Sequence, residues 1–253
     1  MNRLRFTDEP QLLPCPFQWT DPELPYMRRL RTEYELERLV YGAADDLERV
    51  CRVVNWVHNL WVHDGLNVPE RPYDPISILE AVRAGHRYRC VEYGMVIFGA
   101  LNSLGIPTRP LALKTSDVET RESGAGHVVA EAYLRDQGRW VFVDGQFNAV
   151  ALLDGQPLNA VELQEALSEE RPGVNYAGMS PDLFDQYRTW LLPYLYYFDY
   201  RLDNRCTGEP RLPEILMLGP VGAPQPRVFQ RDYPLENVTF THSVRAFYPT
   251  PVW

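Results

Sequence analysis

Three residues of this chain have types that together could break an amide. His127 follows Cys90 by 37 positions, and Asp144 follows His127 by 17. A thiol attacks a carbonyl carbon as its thiolate, a neighbouring base takes and returns protons, and a carboxylate fixes the tautomer of that base. This is the logic of acyl transfer. Cys90 opens an apolar segment, and the unpaired N–H groups at a helix start favour negative charge on a thiol placed there. The backbone N–H of Cys90 is itself a candidate donor to an oxyanion. Cys15, Cys51 and Cys206 have no histidine and carboxylate in comparable order and read as core or surface thiols.

The elements that must position these groups are legible around them. The segment 90–104 reads as a buried helix, closed by Gly105-Ile106-Pro107. Upstream, Leu47, Val50, Val54, Val57 and Trp61 recur at helical spacing and predict a helix over 43–60, with Asp45, Asp46 and Glu48 in its first turn. A shorter helix is expected over 77–83, with Ser77 and Glu80 spaced as a capping box. Downstream, 111–114 reads as a strand and 115–126 as a polar loop. A hairpin then follows over 128–134 and 140–143, turning at Asp136-Gln137-Gly138. His127 thus opens one strand and Asp144 closes its neighbour. A turn centred between Gln137 and Gly138 puts Asp144 opposite Glu131, four residues and roughly 13 Å from His127 at about 3.3 Å per residue. Direct opposition needs a turn centred near Arg135 and Asp136, or a bulge, so a shifted turn or bulge is predicted.

The flanks are irregular. Pro10, Pro14, Pro16, Pro22 and Pro25 predict an extended arm over 1–30. Beyond Val150, Asn159 is placed to cap a helix over 160–167 and Asp182 another running toward Leu192. The run from Trp190 to Tyr200 carries six aromatics, read as core cover or a dimer contact in preference to a groove lining. Six prolines fall between Pro210 and Pro234, and 238–247 reads as a closing strand. With no repeat and no linker, a single domain over 1–253 is expected. Its core covers about 43–150, its Pro-rich arm 1–30 and its aromatic and Pro-rich extension 151–253.

Composition excludes several classes. The 253 residues carry 25 Lys plus Arg against 34 Asp plus Glu, a formal net charge of −9, which disfavours nucleic acid as a partner. No apolar run approaches the ~20 residues of a membrane span, and acid and proline interrupt the N-terminus before a signal-like segment can form. The four cysteines are far apart with no CxxC pair, which suggests free thiols in a reducing cytoplasm. Lys114 is the sole lysine, read as a compositional bias.

Arg89-Cys90-Val91-Glu92-Tyr93, the helix ending in Leu104-Gly105-Ile106-Pro107-Thr108-Arg109, Gly126-His127-Val128-Val129-Ala130-Glu131 and Trp140-Val141-Phe142-Val143-Asp144 together resemble the transglutaminase-like superfamily. Val54-Asn55-Trp56-Val57 and the turn at Ile78-Leu79 resemble the helices that precede the cysteine in that family, so the likeness covers about 47–148. It implies a papain-like α+β fold, with the nucleophile at a helix N-terminus packed on an antiparallel sheet. It also implies Cys90 as nucleophile, His127 as base and Asp144 as orienter, with no cofactor. Three positions depart from the pattern. Tyr88 stands where glycine is common, Val129 where an aromatic is frequent, and Gly145 where proline often follows the aspartate. The zinc-bearing peptide N-glycanase branch is disfavoured, because its paired CxxC ligands are missing.

Other candidates stand beside the triad. Trp56 or Trp61 could border the thiol, as an upstream tryptophan does in some members of the family, although core packing is the preferred reading. Glu131 reads equally as a partner of the site or as the polar face of a strand. His58 and His63 are five apart, against three or four for ligands on one helix, and His86 has no clear relation to them, so no metal is expected. The expected function is cleavage or transfer of an acyl group from a peptide or isopeptide amide, through a thioester on Cys90, with hydrolysis favoured over cross-linking. The alternative is a catalytically silent binding or scaffold module with the same fold. Substrate identity and oligomeric state are not readable from the sequence.

Overall fold

The structure, a computed structural model, describes residues 3–209 and 211–252. Positions 1, 2, 210 and 253, which the expected arm, extension and domain include, lie outside the described residues. The chain runs through β1 (Gln18–Trp19), α1 (Pro25–Glu33), α2 (Leu36–Leu39), α3 (Asp46–His58), α4 (Pro75–Arg83) and α5 (Cys90–Ser103). Next come β2 (Thr108–Lys114), β3 (Gly126–Leu134), β4 (Arg139–Asp144), β5 (Ala149–Leu153), β6 (Gln156–Pro157), α6 (Ala160–Ser168), β7 (Val174–Ala177) and α7 (Phe184–Leu191). It ends with β8 (Tyr197–Arg201), β9 (Asp203–Asn204), β10 (Ile215–Leu218), β11 (Val228–Phe229), β12 (Tyr233–Pro234), β13 (Val238–Thr241) and α8 (Val244–Phe247).

Nine strands form one sheet in the order β13-β10-β8-β2-β3-β4-β5-β6, with β7 also paired to β5. Every pair in it is antiparallel except β10 with β13. Alternation sorts its side chains into two layers. Ala130, Ala132, Leu134, Val141 and Val143 join the core around α5, while Leu111, Leu113, Val129 and Phe142 join a second core built from the C-terminal half. The α+β arrangement expected from the sequence, a helix opening at Cys90 and packed on an antiparallel sheet, is present.

The helix α5 is buried from Glu92 to Ser103, which explains its nearly continuous apolar sequence. Two glycines let it sit close to its neighbours. A Cβ on Gly94 would lie 3.0 Å from the Val129 carbonyl oxygen on β3, and one on Gly99 would lie 2.7 Å from the Pro75 ring of α4. At the C-terminus, Gly105 adopts φ +73, and its N–H and that of Ile106 close a Schellman turn onto Asn102 and Leu101. Buried Asn102 ties the helix to β2 by donating to the carbonyls of Phe98 and Thr108.

Several local expectations are corrected. The helix α4 is capped by Asp74, whose carboxylate accepts from the N–H groups of Ile76 and Ser77 with Pro75 in the first turn, so Ser77 is not the cap. The arm ends at Leu24, because Pro25 starts α1, where its missing N–H costs nothing. Before that point the arm does lie against the body, through a bridge from Thr7 to Ser243 and the parallel pair β1–β9. Asn159 caps α6 as expected, but Asp182 falls in a 3-10 turn and α7 begins only at Phe184. The closing strand stops at Thr241, and Ser243 caps a short final helix.

Candidate active site

Cys90 is the first residue of α5 and is partly exposed. The preceding turn is held by Glu92, which accepts from the Arg89 N–H at 3.1 Å and pairs with the Arg89 guanidinium at 2.8 Å. A fully buried carboxylate two residues from Cys90 is thus matched by a cation on the same segment. Tyr88 stands just upstream, and its carbonyl accepts from Trp61 Nε1 at 3.2 Å and from the Asp64 N–H at 2.9 Å. The backbone at this position, whatever its side chain, therefore anchors the turn before Cys90 to the loop after α3.

His127 is the second residue of β3 and is buried. Its Nε2 lies 2.7 Å from Asp144 Oδ2, and the Cys90 side chain is close enough to raise its pKa. With Nε2 engaged by the carboxylate, Nδ1 is the nitrogen left to meet the sulfur. Burial pushes the imidazole toward its neutral form. The charge and hydrogen bond of Asp144, and then the Cys90 side chain, outweigh burial and hold the pKa up at about 10. The ring is therefore an imidazolium at neutral pH, and a cation beside a thiol favours the thiolate. Burial raises the pKa of Cys15, that of Cys51 to about 11 and that of Cys206 well beyond.

Asp144 ends β4 in a fully buried position. Its Oδ1 accepts from the N–H groups of Gln146 at 3.0 Å and Phe147 at 3.3 Å, and its Oδ2 receives both His127 and the Tyr187 hydroxyl. Gly145, where proline is frequent in the resembling family, sits against Ile97 and Tyr93, with 2.7 Å and 3.1 Å to a Cβ placed there. A larger residue would press this turn away from α5. Val129 is buried in the second core, so it shapes no groove. Aromatic cover reaches His127 from elsewhere: Trp190 packs edge-on at 4.9 Å, and Phe147 and Tyr194 lie at 6.3 Å and 6.2 Å between ring centroids.

A cleft of about 690 Å³ opens beside the site, lined by His58, Trp61, His63, His86, Tyr93 and Gln146 among others. The ring of Trp61 stacks on Tyr93 at 4.1 Å between centroids. Burial, and then the nearby His127 cation, lower the pKa of His63 and keep it neutral. His58 Nδ1 faces the carbonyls of Gly145 and Gln146, both at 3.1 Å, and supports the turn after Asp144.

The structure thus gathers Cys90, His127 and Asp144 and places Trp61 in the adjoining cleft. Trp56 lies away from them, packed near Tyr34 at 6.3 Å between ring centroids. Glu131 belongs to another assembly: it pairs with fully buried Arg109 at 2.8 Å and accepts from the Ala160 N–H and the Tyr248 hydroxyl. Among the described residues no group of three or more His, Cys, Asp and Glu side chains is arranged to hold a metal, and no helix is long and apolar enough to cross a membrane. Sequence reasoning missed Tyr187, Trp190 and Tyr194 as neighbours of the triad. Their spacing of three and four residues along one helix and its continuation was the available signal.

The family model of the transglutaminase-like superfamily matches residues 36–145. Among curated proteins none matches this chain. Solved structures similar to it include a protein from Cytophaga hutchinsonii described as a candidate cysteine protease (13% identity, TM-score 0.37, 51% of this chain and 40% of that one). Others are a TGase (20%, 0.33, 47% and 30%) and the red sea bream transglutaminase (16%, 0.36, 67% and 31%). This chain therefore spans less than half the length of each of these proteins.

Proposed function

From the premise that residues 36–145 belong to the transglutaminase-like superfamily, we propose that this protein is a thiol enzyme that cleaves or transfers the acyl group of a peptide or isopeptide amide. The observation that carries this reading is the His127 ring, hydrogen-bonded to Asp144 and set beside the Cys90 side chain. The Cys90 sulfur attacks the amide carbon, and the carbonyl electrons move to oxygen, forming an oxyanion to which the N–H of Cys90 at the helix start can donate a hydrogen bond. As the C–N bond breaks, the leaving amine takes the proton held by His127, and a thioester remains on Cys90. Water or a second amine then attacks the thioester carbon. His127 accepts the proton of that nucleophile, and the sulfur leaves as thiolate. Asp144 holds the ring with Nδ1 toward the sulfur throughout. Hydrolysis is the favoured outcome, the site works without a cofactor, and its four free cysteines fit a reducing, cytoplasmic setting.

Competitive alkylation tests the reading. Iodoacetamide should modify Cys90 at least about tenfold faster than Cys15, Cys51 or Cys206 at pH 7, by mass spectrometry of the digested protein, and His127→Ala should abolish the advantage. Equal, slow labelling of all four thiols would establish the alternative, a silent module with this fold.

A further inference from the structure

Resting on that reading of the triad, we propose that Tyr187 is a positioning residue. Its phenol holds Asp144 on the oxygen that also receives His127, so that the region beyond the superfamily core completes the active site. The two bonds onto Asp144 Oδ2 measure 2.8 Å from the Tyr187 hydroxyl and 2.7 Å from His127 Nε2. The other oxygen already accepts two backbone N–H groups. A carboxylate has about four acceptor sites, and in this fully buried one all four are used within the protein. Without Tyr187, one site of a buried anion would be empty, and the carboxylate would lose the contact that stops it turning away from the imidazole. Burial, and then the Asp144 charge, push the Tyr187 phenol well above its ordinary range, so it remains an O–H donor wherever the protein is folded.

The frame around Tyr187 is built for the task. Its ring packs on Phe147 at 4.9 Å and edge-on against Tyr176 at 5.0 Å. One turn further along α7, Trp190 covers the His127 ring. A single helix outside residues 36–145 therefore supplies the bond to the carboxylate and the cover over the base, and shielding from water strengthens both polar contacts beneath it.

The test compares Tyr187→Phe with Tyr176→Phe in the full chain. Tyr176 loses a buried hydroxyl from the same cluster, but that hydroxyl has no hydrogen-bond partner among the described residues. Two quantities are read: the rate of Cys90 alkylation by iodoacetamide against pH, and the NMR resonance of the His127 Nε2 proton. Y187F should slow alkylation at pH 7 about tenfold, the scale of one hydrogen bond to a charged group. It should also move the acid limb of the profile to higher pH and shift the imidazole proton upfield, as Asp144 turns away and its bond to His127 weakens. Y176F should change neither. A Y187F protein with an unmoved limb and a rate within twofold of wild type overturns the proposal, as does equal slowing in Y176F. If Y187F does not fold, 3-fluorotyrosine incorporation, which alters phenol donation to Asp144 Oδ2, should shift the resonance, and an unmoved resonance overturns the proposal. A wild-type Cys90 no faster than Cys51 overturns the enzyme reading itself, whereas a fast wild type with an equally fast Y187F confines the failure to Tyr187.

Discussion

His127 meets Asp144 on a diagonal of the β3–β4 hairpin. The ladder pairs Ala130 with Val143, so continuing it one step sets Asp144 against Val129, and His127 lies two residues further along the same face. Diagonal neighbours in a sheet stand ~7–8 Å apart at Cα, within reach of an imidazole and a carboxylate extended toward each other. The geometry needs neither the fully shifted turn nor the bulge expected from the sequence. A four-residue loop, Arg135 to Gly138, closes between Leu134 and Arg139 with Gly138 at φ +64, half-way between the two turns considered. The bond to Asp144 then fixes which ring nitrogen is left for Cys90.

That bond makes stability depend on alkaline pH. The His127 pKa rises from about 6.5 in the unfolded chain to about 10 in the folded one. The folded state therefore binds the extra proton, and its stabilisation is complete below about pH 6.5 and lost as pH climbs through 10. Urea unfolding should show His127→Gln less stable than wild type by about 3 kcal/mol at pH 6.5, because Asp144 is left buried without its cation. The gap should narrow steadily toward pH 10. A gap that is constant across this range would contradict the ion pair.

Removing Glu131 should damage the fold without touching the thiol. Arg109 is wholly buried, with its guanidinium 3.7 Å from the centre of the Tyr200 ring and 4.3 Å from that of Trp140. Glu131→Ala strips this cation of its counter-charge and should cost about 3–5 kcal/mol. In the fraction that remains folded, Cys90 should alkylate at the wild-type rate. A selective loss of alkylation would instead make Glu131 a partner of the site.

What the sequence disclosed and what it hid follow from the range of the interactions. Cys90 at a helix start, the hairpin that carries His127 and Asp144, and the Asn159 cap are local patterns, so periodicity and capping chemistry reveal them. Tyr187 and Trp190 were hidden, because nothing near residue 187 says that it packs on a carboxylate 43 positions earlier. Glu131 stayed ambiguous for the same reason, since its partner Arg109 lies on the neighbouring strand and its other contacts come from Ala160 and Tyr248. The misplaced cap of α4 had a different cause: Ser77-x-x-Glu80 satisfies the capping-box pattern, but Asp74 followed by Pro75 is the stronger start.

The α4 cap provides a paired test. Asp74 accepts from two helix N–H groups and from the Tyr26 hydroxyl at 2.5 Å, while the Ser77 N–H is one of the groups being capped. Asp74→Ala should lower stability by about 2 kcal/mol, at the upper end for a lost N-cap because the tyrosine bond goes too. Ser77→Ala should stay within about 0.5 kcal/mol. Thermal melts of the two variants side by side separate the assignments, and equal losses would favour the serine.

The two glycines of α5 should separate stability from reactivity. A methyl on Gly99 meets the Pro75 ring at 2.7 Å and 2.8 Å and Leu30 at 3.1 Å. A proline ring cannot rotate aside, so overpacking of about 1–3 kcal/mol should exceed the roughly 1 kcal/mol that alanine gains in a helix. Gly99→Ala should therefore be less stable by about 1 kcal/mol with Cys90 alkylation unchanged, since the strain falls ten residues into the helix. A methyl on Gly94 instead meets the Val129 carbonyl oxygen at 3.0 Å and Val128 at 3.3 Å. The strand cannot yield there without moving His127, which lies one residue from Val128, so α5 must lift by a few tenths of an ångström at the end that carries Cys90. Misplacing reacting groups by ~1 Å costs on the order of a hundredfold, so Gly94→Ala should slow Cys90 alkylation about three- to tenfold while its melting temperature falls less than that of Gly99→Ala. The reverse ranking, a large stability loss with an unaffected thiol, would mean that the strain at Gly94 is absorbed without moving Cys90.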